Sequence, residues 1–137
     1  MEFLSEAWAH AYGETWNQHD TLKKALETFS AVMTYRFLDR ETPPVQLSIK
    51  EGECVYSGKE NGEIHDFEMW ATAENWEKIT SGEIGVRSAM LTKKLGFKGS
   101  MITAMKYMGA FEESIRMMST IEATFSATPR YKSFCLL

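Results

Sequence analysis

The chain reads as an α+β fold of five short strands and several amphipathic helices, and three observations predict it. Val45–Lys50 (VQLSIK) alternates apolar and polar residues without a break, Glu51-Gly52-Glu53 supplies a tight turn, and Cys54–Ser57 returns as its hairpin partner. Leu4, Trp8, Tyr12 and Trp16 recur every fourth residue, which places them on one helical face. Near the other end Met101, Met105, Met108, Phe111, Ile115 and Met118 form a second helical stripe that drifts slowly round its axis. At 137 residues the natural unit is one domain, 1–137, with N-terminal helices over 1–30 and a tail over 126–137.

The elements follow in order. Residues 2–18 form the aromatic helix, and its stripe is either a cover packed on a sheet or a dimer face or cavity lid. Asp20 can cap a second helix whose inner face is Leu22, Ala25, Leu26 and Phe29. From Met33 the chain alternates as a strand until Pro43 and Pro44 end it, because prolines remove N–H donors and fix φ. The hairpin comes next, then a turn at 58–62 and a strand from Ile64 to Ala71. In that strand Phe67, Met69 and Ala71 share one face and Asp66, Glu68 and Trp70 the other, so Trp70 reaches a sheet edge or packs under a loop. Thr72 caps a helix that buries Trp76 and Ile79 and stops at Gly82. A short helix over 84–91 leads to a strand over 94–98, where Gly96 leaves a gap for a ligand or another backbone. Ser100 then caps one long last helix.

Composition and motifs exclude much. No apolar run approaches the roughly 18 residues of a membrane span, and the N-terminus lacks a basic, apolar leader, so a cytoplasmic protein is expected. A net charge of −4 argues against nucleic acid as a partner. Cys54 and Cys135 have neither metal-ligand nor disulfide-scaffold spacing, and the ending Cys-Leu-Leu is neither a prenylation box nor a peroxisomal signal. No nucleophile elbow, phosphate loop or dinucleotide fingerprint occurs. His10, His19 and His65 are scattered, so no metal or cofactor is expected. Asp66 and Glu68 could pair as acid and base, although a solvated sheet face is the commoner explanation. No catalytic residue emerges, and the expectation is a protein that is not an enzyme.

What remains is the stretch from Trp76 to Met118. Six of nine methionines lie between Met90 and Met118, and Ile84 to Phe111 contains Arg87, Lys93, Lys94, Lys98 and Lys106 but no acid. Methionine is flexible and polarisable, so such a stripe suits either core or a cavity for varied apolar ligands. The order of elements here, a helix with an internal Trp, Ser81-Gly82-Glu83, a short helix ending in RSAMLT, then Lys94-Leu95-Gly96-Phe97-Lys98-Gly99 before a helix from Ser100, resembles the sterol carrier protein type 2 family. The hairpin and the strand-plus-Trp segment upstream fit the same layout, so the resemblance spans roughly residues 33–121.

The resemblance implies a mixed, largely antiparallel five-stranded sheet covered by helices, with an apolar tunnel between the sheet and the C-terminal helices. Carried onto this chain, the lining would be Met90, Leu91, Phe97, Met101, Met105 and Met108, with Trp70, Phe111, Ile115 and Met118 as neighbours. Lys94, Lys98 and Ser100 would meet an anionic head group, with Lys93 and Lys106 close by. The implied activity is non-enzymatic binding and carriage of a lipid such as a fatty acid or acyl-coenzyme A, with transient contact at a membrane surface. Sterol itself is implied by no residue. The alternatives are a structural module with a collapsed tunnel that forms a homodimer through the aromatic helix, and an accessory domain that presents acyl substrates to an enzyme.

Overall fold

The computed structural model describes residues 1–125; the expected tail over 126–137 and Cys135 lie outside the described residues. Helices α1 (Glu6–Gln18) and α2 (Asp20–Ala25) precede strands β1 (Ala31–Phe37), β2 (Val45–Lys50), β3 (Glu53–Lys59) and β4 (Phe67–Ala71). Helices α3 (Ala73–Thr80) and α4 (Val86–Leu91) follow, then strand β5 (Gly96–Lys98) and helices α5 (Met101–Lys106) and α6 (Met108–Arg116), extended by a 3-10 turn Met117–Thr120. The five strands form one sheet in the order β3-β2-β1-β4-β5. Only β1 and β4 run parallel among neighbours, so the sheet is mixed and largely antiparallel, as expected.

Local chemistry explains the framework. Glu51 and Gly52 both take positive φ, the geometry of a two-residue hairpin turn whose twist matches the flanking strands. Thr72 accepts the amide of Asn75 at 3.1 Å and starts α3, and Gly82 at φ 86 lets the chain leave it. Ser5 caps α1, accepting from the Trp8 amide, which starts this helix later than the residues alone suggested. At α2 the cap is His19, whose Nδ1 accepts the Leu22 amide at 3.2 Å, and Asp20 is instead the first helical residue.

Trp8, Tyr12 and Trp16 are completely buried, so the aromatic stripe is a cover on the sheet and offers no dimer face. Each ring withdraws roughly 150–250 Å² from water, on the order of 4–6 kcal/mol gross. Two of them anchor polar atoms to distant backbone: the Tyr12 hydroxyl donates to the Ser114 carbonyl at 2.8 Å and Trp16 Nε1 to the Gly52 carbonyl at 2.9 Å. Gly13 is required where α1 crosses β3, because a side chain there would drive into Ser57. Phe3 stacks on Phe125 at 4.5 Å, and its amide donates to the Thr124 carbonyl at 3.0 Å, beside a bridge between Glu2 and Thr124.

Three further expectations need correction. The strand expected from Ile64 begins at Phe67, and Ile64 is exposed. Strand β2 is buried on both faces, because Gln46 and Ser48 on its polar face are roofed by Asn61 and Glu63. Gln46 Nε2 donates to Asn61 Oδ1 and Glu63 Oε1, and Ser48 donates to Glu63, all at 3.0 Å. The long last helix is broken at Tyr107 (φ −110, ψ 21), whose ring packs edge-on to Phe29 at 5.0 Å while its hydroxyl meets that of Thr28 at 2.9 Å. Gly109, two residues on, has low helix propensity and does little to hold a continuous helix against that anchor.

Candidate functional site

The break at Tyr107 divides the methionine stripe and decides where its members lie. Met108, Phe111, Ile115 and Met118 on α6 and its 3-10 extension are buried in the core. Met101 and Met105 on α5 are exposed instead. Phe111 belongs to an aromatic cluster that reaches Phe97: Phe67 lies 5.5 Å from Phe97 and 5.6 Å from Phe111, and Phe29 lies 5.6 Å from Phe111.

The pairing of β4 with β5 sets Met69 opposite Phe97 and Trp70 opposite Gly96, so adjacent residues of each strand face opposite sides. The gap expected at Gly96 is real but occupied, since any side chain at Gly96 would collide with the Trp70 indole. An aromatic residue laid over a cross-strand glycine covers backbone that the glycine leaves bare. The Arg36 guanidinium sits 4.9 Å from the Trp70 ring centroid and braces it by cation–π attraction.

Around this pair the surface sinks into a depression of about 410 Å³. Trp70, Gly96 and Phe97 line it from the sheet, Met90, Leu91, Lys93 and Leu95 from α4 and the chain leaving it, and Met101 from α5. Five residues singled out in the sequence, Trp70, Met90, Leu91, Phe97 and Met101, therefore converge. Met105 lies one turn beyond Met101, outside the lining, and Met108, Phe111, Ile115 and Met118 do not line it either. Leu95 was not singled out as lining; it is buried just before β5, and its alternation with Phe97 was the signal that could have found it. Lys93 takes φ 62 as α4 ends, a left-handed position usually held by glycine, and its amide reaches back to the Met90 carbonyl at 3.3 Å. That geometry turns the chain from α4 into β5 and puts a lysine beside the depression.

Of the residues expected at a head group, none of Lys94, Lys98 and Ser100 lines the depression, although Lys93 does. Lys94 and Lys98 are exposed, and Lys98 Nζ lies 3.8 Å from Glu68. The Ser100 hydroxyl accepts the Thr103 amide at 3.2 Å and so caps α5.

Other candidate chemistry is committed elsewhere. Asp66 Oδ2 accepts the Val32 amide at 2.8 Å, and Glu68 faces Lys98, so these carboxylates do not pair as acid and base. Burial pushes the Cys54 thiol up to about 11, which leaves little thiolate at neutral pH. Burial likewise raises the phenols of Tyr12 and Tyr35 well above the usual range. Among the described residues no three His, Cys, Asp or Glu side chains gather as metal ligands. A larger polar depression of about 720 Å³ lies where α1, α3 and α6 end. Its Thr15, Thr80 and Thr120 hydroxyls donate to carbonyls of their own helices and do not converge on a ligand.

The SCP-2 sterol transfer family matches residues 12–112, most of the chain. This chain belongs to that family. The SCP-2 fold is shared with a crystal structure of sterol carrier protein 2, at 22% identity and a TM-score of 0.79, covering 88% of this chain and all of the other. A conserved hypothetical protein of Thermus thermophilus is similar at 23% identity and a TM-score of 0.76, over 90% of this chain and 92% of that one. The sterol carrier protein domain 2 of Helicoverpa armigera follows at 17% identity and 0.56, over 85% and 93%. No curated protein sequence matches. Among the described residues no helix of this SCP-2 domain is long and apolar enough to cross a membrane.

Proposed function

We propose that this SCP-2 family member binds and carries an apolar, lipid-like ligand such as a fatty acid or acyl-coenzyme A, without altering it chemically. The observation that carries the reading is the apolar depression bounded by Trp70, Met90, Leu91, Phe97 and Met101 in a chain of this family. Its volume of about 410 Å³ falls within the roughly 300–1,000 Å³ usual for small-molecule pockets. Lys93, which lines it, and Lys94, next in sequence, supply charge for a carboxylate or phosphate, with Lys98 partly offset by Glu68.

Affinity distinguishes a shallow site from a deep one. Burying about fourteen methylenes yields roughly 11 kcal/mol gross, and association removes at least about 4 kcal/mol. The difference corresponds to a Kd on the order of 10 µM, which suits a carrier that must release its cargo. Half that chain would leave about 2 kcal/mol, weaker than millimolar. A working carrier must therefore admit the chain past the surface, and the half-buried Phe97 beside flexible Met90 and Met101 is the side chain placed to swing aside. Its movement would open a path towards Phe67 and, beyond it, Phe111. Native mass spectrometry of freshly purified protein tests the reading: co-purified lipid, or a one-to-one complex with added fatty acid, is expected. Absence of both would refute it.

A further inference from the structure

We propose that the surface formed by α4 and α5 docks this protein onto anionic lipid bilayers. Leu91 is 84% exposed, Ile102 85%, Met105 62% and Met101 52%. Leu91 and Met101 border the same depression, and Met101, Ile102 and Met105 are neighbours on one helix, so the four make a single apolar patch. Single apolar residues are ordinary on a protein surface, whereas a gathered group marks an interaction site.

The border of the patch is cationic. Lys93 and Lys94 follow α4, Lys98 ends β5, and Lys106 is one turn from Ile102, with no acid anywhere between Ile84 and Phe111. Two carboxylates approach this segment from outside it: Glu68 lies 3.8 Å from Lys98 and Glu112 lies 3.1 Å from Arg87. They offset those two cations. Lys93, Lys94 and Lys106 have no carboxylate partner among the described residues, although the chain as a whole is at −4. Apolar side chains ringed by lysine amines, of which Lys106 lies 5.3 Å from the Tyr107 ring centroid, match an anionic bilayer, whose interface accepts the former and whose phosphates and carboxylates attract the latter. A second copy of the chain is a poorer occupant, because a two-fold contact sets the same lysines against themselves. Helix α1 is no rival surface, since its aromatic face is buried and it turns Glu6, His10 and Glu14 outward. The depression opens within the docking patch, so a docked protein presents it to the bilayer. That consequence for lipid uptake rests on the carrier reading; the docking is tested without it.

The test is flotation of the full chain with vesicles of phosphatidylcholine alone or of equal parts phosphatidylcholine and phosphatidylserine. Binding to the serine-containing vesicles is expected, with little to the neutral ones. Raising salt from about 0.1 M to about 1 M, which shrinks the Debye length from roughly 10 Å to 3 Å, should release most of it. Each lysine at an anionic surface strengthens binding about fivefold, so Lys106→Glu should weaken it about 25-fold. Ile102→Ser should cost about tenfold. Ile102 is exposed and does not line the depression, so in Ile102→Ser quenching of Trp70 by a dissolved brominated fatty acid, measured without vesicles, should be unchanged. Equal binding to both vesicle types, or full binding by Ile102→Ser, would overturn the proposal. So would a wild-type dimer in sedimentation equilibrium that Ile102→Ser dissolves. Flotation that persists in a protein showing neither co-purified lipid nor a fatty-acid complex by native mass spectrometry would sink the carrier reading and leave the docking surface standing.

Discussion

Tryptophan emission offers a direct test of where a lipid chain enters. The protein has four tryptophans; Trp8, Trp16 and Trp76 are completely buried, whereas Trp70 is half-buried and lines the depression. A brominated fatty acid quenches by contact, so a chain bound beside Phe97 should silence Trp70 and spare the others. One of four emitters gives a loss of about a quarter of the signal, weighted to the red edge where a partly solvated indole emits. Titration should give a Kd on the order of 10 µM if about fourteen methylenes leave water. Trp70→Phe keeps an aromatic ring over Gly96, so it should preserve the fold, abolish quenching and leave the affinity, measured by isothermal calorimetry, within a few-fold. Full quenching in Trp70→Phe would mean that the ligand binds against the buried tryptophans instead. A wild-type protein that stays unquenched at high micromolar ligand would refute the depression as the way in.

Other outcomes follow from the same geometry. Gly96→Ala should destabilise by about 1–3 kcal/mol, since its methyl group must displace the Trp70 indole, and the cost should shrink in a Trp70→Ala background when chemical denaturation is run as a double-mutant cycle. Lys93→Gly should stabilise by up to about 1 kcal/mol, a rise of a few degrees in Tm by calorimetry, because glycine takes φ 62 without the steric cost that lysine bears. In a Cys135→Ser background Cys54 should react slowly with iodoacetamide at pH 8 and faster only as pH approaches about 11. Its raised pKa also fixes the sign of the alkaline response. The unfolded thiol ionises from about pH 9 while the folded one resists, so stability is intact below pH 9 and falls between about 9 and 11, with Tyr12 and Tyr35 adding the same trend above 10. A urea midpoint that holds constant from pH 8 to 11 would contradict this.

Elements governed by near neighbours in sequence were legible; those governed by a partner far along the chain were not. The alternation of Val45–Lys50, the turn at Glu51-Gly52 and the caps at Thr72 and Ser100 are short-range chemistry, and each stands where the residues put it. The break at Tyr107 depends on Thr28 and Phe29, some eighty positions earlier, which no periodicity count can see. The same blindness explains Gly96, whose missing side chain signalled a gap but not that Trp70 would fill it. It also explains Gln46 and Ser48, which read as a wetted face until Asn61 and Glu63 close over them. Of the candidate site, Trp70, Met90, Leu91, Phe97 and Met101 were gathered by resemblance and do converge, while Met105 and the α6 methionines were tied to them by a helix that is not continuous.

The stitch between Glu2-Phe3 and Thr124-Phe125 sets an order on the protein's birth. A chain leaving the ribosome can lay α1 on the β2–β3 hairpin once residue 59 is out, since those contacts need nothing later. Strand β1 already has β2 on one side, but its other edge waits for β4, and β4 in turn for β5. Phe3, buried against Trp8, Phe37 and Trp76 in the finished protein, has its last aromatic neighbour supplied by Phe125. Until translation passes that residue the nascent domain keeps an open seam, and this is the interval in which a chaperone would have something to hold.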